Sequence, residues 1–259
     1  MNVTKRMRPL GMVGSIVLFI IPATILYCTH FFFVPAFVNA TGKPYLVGYL
    51  IGWSSTMAFF LVAALVGYRL EDNPTRWKSL ASRFRLERMT GKDWLWTLGL
   101  FLISMALYFG LGFTSNWLAQ IPILAPHPLV PPDFGPGATS ARVPGILMGM
   151  PLAGKWWVAP VFFFGWLLNV FGEEFWFRGY VLPRQELAMG SRAWIANGLM
   201  FGFNHIWQPW NLLLILPGAL VGAYVVQRRR NTWILIVMHG VMNLMLVVLV
   251  MLNVAGVAV

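Results

Sequence analysis

The stretch WWVAPVFFFGWLLNVFGEEFWFR, residues 156–178, carries two adjacent carboxylates, Glu173 and Glu174, inside an otherwise apolar run. A helix needs about 20 mostly apolar residues to cross a bilayer, and this run is long enough. A carboxylate at that depth is costly unless it is paired, protonated or facing a wet cavity. The other six acidic residues (Glu71, Asp72, Glu87, Asp93, Asp133, Glu186) fall in polar connecting segments. The embedded pair therefore calls for a specific reason, and chemistry leads.

Working outward from this run with the same ruler gives seven spans, at 11–32, 46–68, 94–117, 156–177, 192–207, 210–227 and 232–254. The segment 142–154 would add a partial eighth. The expected fold is an all-α polytopic membrane helical bundle forming one domain over 1–259, with its site-bearing core at 156–254. Charged residues make up only 10% of the chain, against about a quarter in a soluble domain. The net charge of +11 raises nucleic acid as a partner. The basic residues lie between apolar blocks, where membrane topology accounts for them, so nucleic acid is excluded and the lipid bilayer is the partner. The single cysteine, Cys28, excludes an internal disulfide and a cysteine-based zinc site, and is expected to pack inertly. The basic N-terminus before a long apolar run is expected to be a retained first helix rather than a cleaved signal.

The positive-inside rule orients the bundle. With the N-terminus in the cytoplasm, inner segments hold Lys5, Arg6 and Arg8, the basic run from Arg69 to Lys92, then Arg178, Arg184 and Arg192, and finally Arg228, Arg229 and Arg230. Outer segments hold only Lys43, Arg142 and Lys155. That asymmetry predicts an outside C-terminus and suits a bacterial inner membrane. The segment 69–93 mixes basic and apolar residues, and either an amphipathic helix on the inner leaflet or a solvated loop fits it. The Pro-rich segment 121–145 predicts an irregular outer loop.

Strongly polar residues inside the spans cluster in the C-terminal half. Glu173 and Glu174 lie in the fourth span with Arg178 at its inner end, Asn197, Asn204 and His205 in the fifth, and His239 and Asn243 in the seventh. Glu174 and Arg178 are four residues apart, share a helix face and can pair. Glu173 points about 100° away and stays available as a base. His239 and Asn243 share a face, as do Phe201 and His205. Glu173 lies about 16 Å along its helix from Arg184, His239 about 13 Å from Arg230 and His205 about 20 Å from Arg192, so the depths agree within about two turns. A carboxylate and two imidazoles can activate water with a metal or without one. With zinc, Glu173, His205 and His239 would be the ligands. Without it, Glu173 would take the proton from water, and His239 with Asn243 would stabilise the oxyanion. Either route is hydrolysis, with a peptide bond near the inner face as the target.

The pattern Glu173-Glu174-x-x-x-Arg178, Phe201-x-x-x-His205 and His239-x-x-x-Asn243 resembles the three motifs of the CPBP family. That family groups CAAX prenyl proteases with bacteriocin-processing and immunity proteins. The resemblance covers residues 156–250 and implies an intramembrane endopeptidase acting on a membrane-associated peptide or protein. Carried over by position, Glu173 would activate the water, with Glu174 and Arg178 as its partners. His205 would orient the water or bind metal, and His239 and Asn243 would form the oxyanion site. The family includes non-catalytic immunity or scaffolding members, which is the alternative reading. A proton-coupled transporter is a further class, but the inverted repeats expected of one are not evident.

Overall fold

In the computed structural model, residues 7–136 and 145–257 are described. Lys5, Arg6 and Arg142, and the start of the 142–154 segment, lie outside the described residues. Helix α1 runs Met12–Thr41, including a wider π turn at Thr29–Phe33. It passes well beyond the expected end at 32 because nothing breaks the helix before Gly42, whose φ of 64° favours a residue without Cβ. Helix α2 spans Tyr45–Leu70. Within the 69–93 connection a short helix, α3, forms over Trp77–Arg83. Helix α4, Gly91–Leu111, starts at a reciprocal cap between Thr90 and Asp93, and α5 continues over Phe113–Leu118.

After the Pro-rich segment, Ile146–Leu147 and Met150–Pro151 pair as a small antiparallel hairpin, β1 and β2. No eighth span forms in the described part of 142–154. Gly145, Gly149 and Gly154 have φ of 79°, 75° and 74°, and Met148 also has positive φ, so the chain turns instead of propagating a helix.

The core begins with α6, Val158–Glu173, which widens into a π segment at Glu174–Val181 and continues as α7, Leu182–Met189. Gly190, with φ 61° and ψ −136°, breaks the helix. Helix α8, Ala193–Asn204, packs back against α7. A short turn leads to α9, Leu212–Arg229, which lies along α8, and the chain ends in α10, Trp233–Val254.

Six helical stretches among the described residues are long and apolar enough to cross a membrane. The expected fourth and fifth spans merge into one of them, Val158–Asn204, of 47 residues. A straight helix of that length would measure about 70 Å, roughly twice a bilayer, so the reversal at Gly190 is physically required. The returning arm α8 has 12 residues, which at about 1.5 Å each reach only partway across the hydrocarbon. That is why seven apolar segments yield six full-length stretches.

Helix α6 packs on α2 and α10, while α4 packs on α9 and α10. The α2–α6 contact is backbone-close. A Cβ on Gly172 would collide with the carbonyl oxygen of Met57, so only glycine brings Glu173 this near to α2. Large apolar side chains such as Phe59, Leu95, Phe109 and Phe164 remain exposed on the outside of the bundle, where lipid would cover them. Cys28 is exposed there as well.

Candidate active site

The wide turn after Glu173 sets the site. A π segment leaves carbonyls off the regular ladder, and such groups need partners when buried. Asn197 Nδ2 donates to Phe177 O at 3.0 Å, and Arg83 donates to Gly179 O at 2.9 Å and to Tyr180 O at 3.3 Å. Arg83 is itself clamped by Glu71, through Nε at 2.7 Å and Nη2 at 2.8 Å. Next to it, Arg85 holds Glu186 at 2.6 Å and 2.7 Å. Residues of the 69–93 connection thus fasten the π segment and α7 from the basic end of the bundle.

Glu173 and Glu174 are both buried, but their surroundings differ. Glu174 Oε1 accepts from His239 Nδ1 at 3.0 Å, and Glu174 Oε2 lies 3.7 Å from Arg178 Nε. The Arg178 guanidinium sits 3.7 Å above the centre of the Phe201 ring, a cation–π contact. Glu173 makes no side-chain hydrogen bond among the described residues. His205 follows the last residue of α8, with Nδ1 at 3.0 Å from Phe201 O. Asn243 Nδ2 donates to Asn169 Oδ1 at 2.9 Å.

Glu173, Glu174, Arg178, His205, His239 and Asn243 all line one cavity of about 820 Å³. Asn197 does not. It is fully buried between Phe177 O and Gln185 Oε1 and braces the π segment. Asn169 does line the cavity, though the sequence pattern does not single it out. Its position one turn before Glu173, on the same face of α6, was the available signal.

His205 and His239 each have Nδ1 engaged, leaving Nε2 as the ring atom open to a ligand. Among the described residues no group of three or more His, Cys, Asp or Glu side chains is arranged to hold a metal ion. The set Glu173, His205 and His239 is not among such groups.

Residues 155–245 match the family model described as Rce1-like, type II CAAX prenyl endopeptidase Rce1-like. Over this segment the chain is similar to the CAAX-type protease family. The Rce1-like segment starts just before α6 and ends within α10, so it contains all six motif residues and Asn169. The match and the six apolar helical stretches indicate an integral membrane protein. No curated protein and no solved structure matches the chain.

Proposed function

We propose that the chain is an intramembrane endopeptidase that cleaves a membrane-associated protein or peptide by glutamate-activated water. The observation that carries this is the contrast between the two carboxylates in one cavity. Glu174 is held by His239 and Arg178, whereas both Glu173 oxygens are without a hydrogen bond among the described residues. A base must be within hydrogen-bond reach of water and not already satisfied.

Glu173 takes a proton from water, and the water oxygen attacks the scissile carbonyl carbon. His205 Nε2 orients that water. The resulting oxyanion is met by Asn243 Nδ2 and His239 Nε2. Collapse of the tetrahedral intermediate breaks the C–N bond, and Glu173 returns its proton to the leaving amine. Glu174 fixes the His239 ring through Nδ1, and Asn169 fixes the Asn243 amide.

Exposed cations at one end of the bundle, among them Arg76, Lys78, Arg88, Lys92, Arg192, Arg228 and Arg230, face only Lys43 and Lys155 at the other end among the described residues. This asymmetry supports placing the basic end in the cytoplasm of a bacterial cell, with the C-terminus outside. The catalytic proposal is tested with purified protein in detergent and an internally quenched membrane-associated peptide. Hydrolysis should persist after exhaustive chelation and disappear in Glu173→Gln. Activity that vanishes with chelator and returns with Zn²⁺ would sink the metal-free step.

A further inference from the structure

The turn between α8 and α9 is tightly held, one step on from His205. Gln208 N donates to His205 O at 2.9 Å, and Pro209–Asn211 form a short 3-10 turn. Pro209 fixes its own φ and restricts the residue before it, so Gln208 has little backbone freedom. Trp210 is only 1% exposed and roots the turn in the bundle. Trp207 stacks on His30 of α1, with ring centres 4.0 Å apart and 12° between the planes.

The side chains of this turn form a chain of hydrogen bonds that starts on α5. The buried Ser115 donates Oγ to Asn211 Oδ1 at 2.7 Å. Asn211 Nδ2 donates to Gln208 Oε1 at 2.9 Å. The chain ends at Gln208 Nε2, which has no hydrogen-bond partner among the described residues and is not sealed from solvent. Ser115, Asn211 and Gln208 line the same cavity as Glu173 and His205, and the hydrolytic scheme gives none of them a task. A carboxamide pinned through its oxygen presents its two N–H donors in a fixed direction. A donor aimed in advance loses little freedom when a ligand arrives.

We infer that Gln208 is a substrate-binding residue whose Nε2 donates to a backbone carbonyl oxygen of the bound peptide, and that Ser115 and Asn211 are positioning residues that aim it. This rests on the protease reading. The oxyanion already has two donors in Asn243 and His239, so the carbonyl that Gln208 meets is a neighbouring, unreactive one. Such a bond is equally strong in ground state and transition state, and it acts on KM rather than kcat.

The test is fluorescence anisotropy with a fluorescein-labelled, palmitoylated peptide that has the sequence of the hydrolysis substrate. It is titrated with purified Glu173→Gln protein in detergent, so that binding is read apart from turnover. One neutral hydrogen bond corresponds to about 2–12-fold in affinity, and Gln208→Leu should raise Kd by that factor. Ser115→Ala should give part of the same rise, and Ser115→Thr, which keeps the hydroxyl, should restore tight binding. In a Gln208→Leu background Ser115→Ala should add nothing, whereas a merely structural role would weaken binding equally in both backgrounds. With Glu173 intact, Gln208→Leu should raise KM by the same factor and leave kcat unchanged. Unchanged Kd in a folded Gln208→Leu, a full further loss from Ser115→Ala on top of it, or no binding of the peptide to the Glu173→Gln protein would overturn the inference. If Gln208→Leu does not fold, the contrast between Ser115→Ala and Ser115→Thr decides, and equal Kd in those two would overturn it. Absent hydrolysis by the Glu173-intact chain, with the binding shifts in place, would sink the protease reading alone.

Discussion

Replacing each glutamate by its amide separates the two roles assigned to the carboxylates. Glu173→Gln preserves size and removes only basicity. Since Glu173 makes no side-chain hydrogen bond among the described residues, folding should be untouched. A positioned general base contributes about 10²–10⁴ in rate, so turnover should fall by that factor, about 2.7–5.4 kcal/mol of barrier. Glu174→Gln is different. It neutralises the partner of both His239, at 3.0 Å, and Arg178, at 3.7 Å. Arg178 is only 2% exposed and its Nε and Nη1 have no hydrogen-bond partner among the described residues, so it would be left as an uncompensated buried charge. Removing one member of such a pair costs about 3–5 kcal/mol of stability. Thermal unfolding in detergent micelles and hydrolysis of the quenched peptide report the two effects separately. The expected pattern is an unchanged melting midpoint with lost turnover for Glu173→Gln, and a lowered midpoint as well as lost turnover for Glu174→Gln. Retained turnover in a folded Glu173→Gln, or equal destabilisation by both substitutions, would refute the assignment.

The clamp at the basic end should be equally sensitive. Arg83→Ala removes the closest cation from Glu71 and the donor to two π-segment carbonyls and should cost about 3–5 kcal/mol, whereas Arg83→Met combined with Glu71→Met should recover part of the loss in the same melting assay. Gly172→Ala places a methyl group against the Met57 carbonyl and should destabilise by about 1–3 kcal/mol through overpacking. The control Gly99→Ala, whose Cβ would meet nothing within 4 Å, should instead stabilise by roughly 0.5–1 kcal/mol. Asn169→Leu removes the acceptor that holds Asn243, a hydrogen bond worth about 1 kcal/mol, and should lower kcat several-fold with KM unchanged; a change confined to KM would place Asn169 in substrate binding.

Much of the bundle was legible in the chain because burial in lipid imposes a simple requirement. Every backbone group must be satisfied within its own helix, so apolar length alone marks a crossing. The motif residues were legible for a related reason, since the cost of an embedded carboxylate or imidazole makes each one conspicuous. Asn169 escaped notice because an amide carries no charge and stands out less in an apolar run. The partners of Arg83 and Arg85 escaped too. Glu71 and Glu186 sit in polar segments where a solvated charge is the ordinary expectation, and only the fold brings them against these arginines. The fifth span looked like a crossing by hydropathy, yet α8 stops at Asn204.

The two carboxylates at the end of α6 show the division most clearly. Sequence alone indicated that they lie inside an apolar helix, that Arg178 follows Glu174 by one turn, and that a rise of about 1.5 Å per residue puts two imidazoles within about two turns of the same depth. Only the tertiary structure decided that His239 bonds to Glu174, that Asn243 leans on Asn169, and that these residues line one cavity. Those outcomes depend on how helices far apart in the chain rotate and pack against each other, and helical periodicity within any one segment carries no information about that.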